Sequence, residues 1–140
     1  MIPKLWCTLI TLIISVHITS QMHISTYLRE DYVWDFAEEE WSKYSSQDDM
    51  TFFELNKDLT LVKHTTGNLT SAYIIKTNTK NEERNHFEFD VISDVGNKYT
   101  MIIDVFNEDK SLHNVRFMYD REEKTYLVRH TVKTVWFDEE

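Results

Sequence analysis

The chain has 140 residues, with 24 Asp and Glu against 15 Lys and Arg, for a formal net charge of −9. An acidic chain without a basic stripe argues against nucleic acid and anionic membrane surfaces as partners, and leaves cationic partners open. With one cysteine, Cys7, no intrachain disulfide can form.

The first twenty residues, MIPKLWCTLITLIISVHITS, carry Lys4, then a largely apolar run, then small residues at Thr19 and Ser20. That is the layout of a secretory signal peptide, too short and wrongly flanked for a membrane anchor. The expectation is a signal over residues 1–20 and a single secreted domain over 21–140. Cleavage removes Cys7, Pro3 and Lys4, so the charge moves from −9 to about −10. Such a domain must be held by its core, unusual among small exported proteins but feasible at this length. No later stretch approaches a membrane span, so the mature form is expected to have no membrane partner.

From Thr26 to Tyr44 the spacing predicts a helix: Val33, Phe36, Ala37, Trp41 and Tyr44 recur at three- and four-residue steps. Glu38, Glu39 and Glu40 would form its solvated face, and Trp34 and Trp41, one helical repeat apart, would face the same neighbour. After the loop Ser45–Asp49 the rhythm changes from 3.6 to 2. Strands are predicted near Thr51–Leu55, Leu59–Thr65, Ser71–Thr77, His86–Ile92, Tyr99–Phe106, Asn114–Tyr119 and Thr125–Val132. The connections TTGN, NTKNEER, SDVGN, NEDKS and DREEK are too short for parallel crossovers, so the strands must run antiparallel. The fold class is therefore mainly β: an N-terminal helix followed by an antiparallel meander of six or seven strands. Closure into a barrel would remove its exposed edges. Asn68-Leu69-Thr70 fits a glycosylation acceptor beside Gly67, where a surface turn is expected.

The segment HFEFDVISDVGNKYTMIIDVF, residues 86–106, reads as a hairpin. Pairing Phe89 with Ile103 sets Phe87 by Val105 and Val91 by Met101, and places Glu88 opposite Asp104. The next pair sets Ile103 near Val115, Met101 near Phe117 and Tyr99 near Tyr119. One face is then apolar, while the other carries His86, Glu88, Asp90 and Asp104 with Ile102 and Phe106. Like charges across a ladder are destabilising, and relieving the Glu88–Asp104 repulsion by mild acid would stabilise locally. Two topologies remain open. In the commoner one the apolar face is inside and the carboxylates are solvated. In the other the acidic face is concave and grips a cation, with Phe106 adding cation–π attraction.

His86-x-Glu88-x-Asp90 offers metal ligands on one strand face, but neighbours on a flat strand do not converge without a bend, so no metal is assigned. His64, His113 and His130 lack metal-ligand spacing and read as surface or hairpin residues. The sequence has no nucleophile elbow, phosphate-binding glycine loop or mature cysteine, and is read as neither an enzyme nor a cofactor protein.

The tail NVRFMYDREEKTYLVRHTVKTVWFDEE, residues 114–140, resembles the end of the tick salivary lipocalins. There an asparagine-hydrophobic, aspartate-x-x-lysine-threonine-x-hydrophobic hairpin precedes a segment ending in Trp and acidic residues. The matching positions are Asn114, Asp120, Lys124, Thr125, Tyr126, Val128 and Trp136. YLREDYVWDFAEEEW, residues 27–41, is similar to the family's Trp- and acid-rich N-terminal helix, and residues 59–79 resemble its first long strands. The resemblance implies a secreted β-barrel that sequesters a host mediator: histamine, serotonin or a lipid. By that likeness a monoamine would sit between Glu88, Asp90 and Asp104, its ring against Phe106 and Trp136 near the mouth. This sequence departs from the family in lacking disulfides, with Tyr126 where a cysteine is common, and in its length, which implies a missing strand. The alternative function is a secreted interaction protein that binds a host protein through its surface, for instance the Trp34–Trp41 face, without a ligand cavity.

Overall fold

The computed structural model describes residues 21–81 and 83–138; the signal-like segment, residues 1–20, lies outside them. Eight strands, β1 Met22–Asp35, β2 Glu40–Leu55, β3 Leu61–Thr66, β4 Leu69–Asn81, β5 His86–Ser93, β6 Lys98–Asp104, β7 Asn114–Arg121 and β8 Lys124–Phe137, run antiparallel. Each pairs with the next, and β8 pairs with β1 to close a barrel. Closure satisfies both edges of every strand. A short 3-10 helix, Lys110–Leu112, lies in the β6–β7 connection.

The predicted helix over 26–44 is not formed. That segment is the β1–β2 hairpin, and β1 supplies the strand that the chain's length suggested was missing. Two register shifts in β1, between Thr26 and Leu28 and between Asp31 and Tyr32, each break the alternation of two. Bulges of this kind move side chains off a strict period, and the disturbed spacing mimics a helical stripe. Trp34 and Trp41 do meet, as cross-strand partners near the hairpin tip, edge to face at 5.2 Å.

The apolar face of the meander points inward. Ile24, Phe53, Leu55, Val62, Phe89, Met101, Ile103 and Val115 are fully buried and pack into one core. The β6–β7 pairing is as read from the sequence, Ile103 with Val115 and Met101 with Phe117. The β5–β6 pairing is two residues away from it: Phe89 faces Met101, Phe87 faces Ile103 and Glu88 faces Ile102. A shift of two keeps every side chain on its face, so the face assignment survives while the Glu88–Asp104 opposition does not. Outside the barrel, Glu30 is buried beneath Arg129 and Lys43, whose nitrogens approach its carboxylate to 2.7 and 3.3 Å. The Arg129 hydrogen bond, chiefly, holds the Glu30 carboxyl below its usual range, and the cluster ties β8, β1 and β2 together.

The β7–β8 turn is made by Glu122 and Glu123, with φ of 52° and 66°. Two successive left-handed residues define the hairpin turn that favours Asn-Gly, because a Cβ there crowds the backbone. Replacing Glu122→Asn together with Glu123→Gly is expected to stabilise the protein by about 1–2 kcal/mol. A thermal melt reads this as a rise of several degrees, and an unchanged or lower Tm refutes the strain.

Candidate functional site

The antiparallel order brings four connections to one end of the barrel: residues 36–39, Gly67–Asn68, 94–97 and Glu122–Glu123. Asn68 is exposed there, in a two-residue turn begun by Gly67 at φ +58°. An eight-stranded barrel has an interior just wide enough for its side chains, or for one small ligand. At the far end this interior is filled by aliphatic residues and Phe53 and Phe89. Toward the connection-rich end the inward residues change character.

On β1 the inward positions become Arg29, Asp31 and Val33, which pair with His130, Val128 and Tyr126 of β8. His64 of β3, Tyr73 of β4, Tyr99 of β6 and Phe117 and Tyr119 of β7 complete a cup with a cavity of about 190 Å³. Its floor is Phe53, whose ring lies 4.8 Å from that of His64 and 5.3 Å from that of His130. The wall is a chain of aromatic contacts. Phe117 meets Tyr73 at 5.4 Å, Tyr73 meets Tyr99 at 5.8 Å, and Tyr99 meets Tyr119 at 5.5 Å. Tyr119 stacks on Tyr126 at 5.3 Å, and Tyr126 touches Tyr44 on the hairpin overhanging the mouth at 6.3 Å. Tyr119 also lines the vestibule, with Arg121, Lys124 and Tyr126, and a side recess with Lys76 and Lys98.

The cup is polar yet holds little net charge. Arg29 grips Asp31 through Nη2 and Nε at 2.9 and 3.2 Å, and that hydrogen bonding raises the guanidinium's pKa. Asp31 is itself buried. Burial lowers the His64 imidazole, and burial with the nearby His64 and Arg29 pushes His130 down to about 3. Burial likewise pushes the Tyr73 phenol up to about 12 and raises Tyr119. At neutral pH the floor therefore presents uncharged imidazoles and protonated phenols beside one internally neutralised ion pair. Both His64 nitrogens are engaged, Nδ1 with the Tyr73 hydroxyl and Nε2 with Thr66 Oγ1, each at 3.2 Å. His130 Nδ1 is buried and has no hydrogen-bond partner among the described residues. A cup of this composition can stack a flat ring, donate from several hydroxyls, and accept or donate at one free imidazole nitrogen.

The five residues singled out from the sequence are not brought together in this cup. Glu88, Asp90 and Asp104 point away from the core side of β5 and β6. Glu88 is engaged by His86 Nε2 at 2.9 Å, Asp90 accepts from Thr77 Oγ1 at 2.7 Å, and Asp104 accepts from Asn107 Nδ2 at 2.6 Å. Of the three only Asp90 touches the mouth, in the side recess. Phe106 packs on Phe87 at 5.4 Å beneath the Lys80 ammonium, beyond the far end of β6. Trp136 stacks on His23 at 5.2 Å near the end of β8, opposite the mouth. Among the described residues no three His, Cys, Asp or Glu side chains converge as a metal-ligand set.

His64 and His130, read from the sequence as surface or hairpin residues, line the interior. The signal that pointed to them was available: His130 alternates with Tyr126 and Val128 on a strand whose inner face is otherwise apolar. Tyr99 and Tyr119 were read from the sequence as neighbours on the apolar face of β6 and β7; that face is the inner one, and the two rings, 5.5 Å apart, form one wall of the cup. The chain matches no protein-family model, and no curated protein or solved structure is detectably similar to it.

Proposed function

We propose that this protein is an exported, lipocalin-like carrier that sequesters a small ring-bearing mediator in the cup at the connection-rich end of the barrel. The reading rests on one observation: one end of the interior is packed with aliphatic side chains, Phe53 and Phe89, and the other keeps a cavity of about 190 Å³ whose lining includes Tyr73, Tyr99, Tyr119, His64, His130 and Arg29, the last paired with Asp31. A stable core does not need that lining. A buried ion pair contributes no more than well-packed apolar residues would, and an orphaned imidazole nitrogen is a cost. Departures of this kind from a consistent core are where functional sites lie.

The size of the cup limits the occupant. About 190 Å³ is on the scale of the roughly 150 Å³ apolar cavity that accommodates a benzene ring, so one or two fused rings fit. Phe53 and Phe89, both fully buried, pack below the cup, so a long acyl chain would have to displace core side chains to enter the barrel from this end. Of the mediators implied by the family resemblance, ring compounds suit this interior better than lipids.

Calorimetry with single- and double-ring compounds, histamine and serotonin among them, alongside palmitate, tests the reading. Saturable one-to-one binding of a ring compound is expected, with none for palmitate. Tyr119→Ala should weaken it at least about tenfold, since a stacked aromatic contributes on the order of 1 kcal/mol beyond its buried area. Absence of binding by every ring compound overturns the carrier. Export and Asn68 glycosylation are tested by intact mass after expression in a eukaryotic host, where a chain beginning near residue 21 and shortened in mass by glycosidase is expected.

A further inference from the structure

The rim of the cup carries Glu38, Glu39, Glu122 and Glu123, but the charged side chains lining the cup and its recesses are mostly cationic. With a net charge of −9, this protein nevertheless places Arg29 in the cup, Arg121 and Lys124 in the vestibule, and Lys76 and Lys98 in the side recess. The carboxylates lining the same spaces are Asp90 and Asp120, both in the side recess rather than in the cup itself, and each receives one hydroxyl hydrogen bond. Asp90 accepts from Thr77 Oγ1 and Asp120 from Thr125 Oγ1, each at 2.7 Å. Asp31, beside the cup, is held by two nitrogens of Arg29. Inside the cup an incoming ammonium finds no carboxylate in the lining and would have to displace Arg29 from Asp31 beside it, with half-buried Asp49 as the remaining acid in its field.

An incoming carboxylate meets the opposite situation. Arg29 spends Nε and Nη2 on Asp31, and its Nη1 has no acceptor among the described residues. Guanidinium is the side chain best suited to hold a carboxylate while already paired, because its donors are spread over a rigid fork. His130 is 1% exposed and lines the same cavity, and its Nδ1 lacks a partner. A buried polar atom without a partner is costly, and a ligand group that bonds it recovers that cost. The neutral imidazole accepts from a ring N–H or hydroxyl, with its other nitrogen protonated.

We propose that the cup takes a small aromatic carboxylate whose ring carries an N–H or O–H donor. The carboxylate lies toward Arg29 and the tyrosine hydroxyls, the ring among Tyr73, Phe117 and Tyr119, and the ring donor on His130 Nδ1. Lys124 and Arg121 line the vestibule and meet the anion at close range, where contact rather than the net charge of their turn, which also holds Glu122 and Glu123, decides. This inference rests on the carrier reading, and adds the sign of the ligand's charge and the group that reads its ring.

Matched pairs that share a ring and differ only in charge test it: 4-hydroxyphenylacetate against tyramine, and indole-3-acetate against tryptamine. Calorimetry is expected to show each acid binding at least about tenfold more tightly than its amine, the scale of one charge-assisted contact. Phenylacetate, which lacks the ring donor, should bind about tenfold more weakly than 4-hydroxyphenylacetate, and His130→Phe should abolish that difference. Arg29→Gln combined with Asp31→Asn removes the guanidinium without stranding a buried carboxylate, and should erase the preference for the acid. If that double variant fails to fold, Lys124→Ser with Arg121→Ser should lower the association rate of the acid and flatten its salt dependence. Amines binding as well as or better than the acids would overturn this inference and leave the carrier standing. Binding of neither member of either pair, nor of any other ring compound, would remove both.

Discussion

Lowering the pH below 6.5 is expected to destabilise this protein steadily, and His130→Phe is expected to remove much of that sensitivity. His130 faces Phe53, Phe117 and His64 with Arg29 nearby, is 1% exposed, and has its pKa pushed down to about 3. In the unfolded chain it titrates near 6.5. Between those two values the unfolded state holds a proton that the folded state refuses, so stability falls as pH falls. The stabilising contribution is fully present above about pH 6.5 and is lost progressively toward pH 3. One such group costs roughly 1.4 kcal/mol for each pH unit of the window, several kcal/mol in all. His64, lowered by burial in the same way, adds to the slope. The Glu30 carboxyl, lowered mainly by its Arg129 hydrogen bond, loses its contribution only as pH falls below the ordinary carboxylate range. The interval from pH 6.5 to 5 therefore isolates the histidines. Urea melts at pH 7, 6 and 5 check this, with the variant's slope expected to be clearly shallower. A parent whose stability is flat over that interval would refute the buried neutral imidazole. The outcome also reverses the sequence-based expectation of relief by mild acid, because Glu88 sits across from Ile102 and is bonded by His86, so the supposed Asp104 repulsion is absent.

Phe53→Ala is expected to cost about 3–5 kcal/mol and to lower Tm by more than about 10 °C. Phe53 is fully buried where the packed half of the barrel meets the cup, and its ring touches His64, Phe117 and His130. Truncation removes a large apolar side chain and opens a void that the rigid strands around it cannot close. The neighbouring Phe52 is 41% exposed on the outer face, and Phe52→Ala should cost less than about 1 kcal/mol. The contrast between adjacent phenylalanines tests the inward and outward assignment of β2 directly, and similar costs for the two would contradict it. Phe53→Ala also deepens the cup, so if it remains folded it should accept larger rings than the parent.

Six strands were legible because their faces differ in polarity. From β3 to β8 the apolar residues alternate, so strand existence, antiparallel order and the shared face of Phe89, Met101, Ile103, Val115 and Phe117 followed from a period of two, and their burial showed that face to be the inner one. The end of β2, with Phe53 and Leu55, was legible for the same reason. β1 and the start of β2 were not, because their inner positions Arg29 and Asp31 are polar and two bulges interrupt the alternation. The features that hid the strand are the ones that build the cup.

What the chain determined by itself was therefore a meander whose side chains are sorted onto two faces, and burial in the closed barrel decided that the apolar face is the inner one. Its local patterns state which residues avoid water, and a meander with short connections has one neighbour order. Tertiary structure decided the rest. The β5–β6 register depends on the turn, where Gly96 at φ +89° and the Asn97 N–H bond to Ser93 Oγ select one of two pairings that sort the side chains identically. Closure of β8 onto β1 brings His130 beside Arg29 across 101 residues of chain, and with His64, Tyr73 and Tyr119 it assembles a cup from strands far apart in sequence. Hydrophobic periodicity reports which residues share a face of each strand; which face turns inward and which residues end up facing one another depend on register, bulges and closure, and those are properties of the whole barrel.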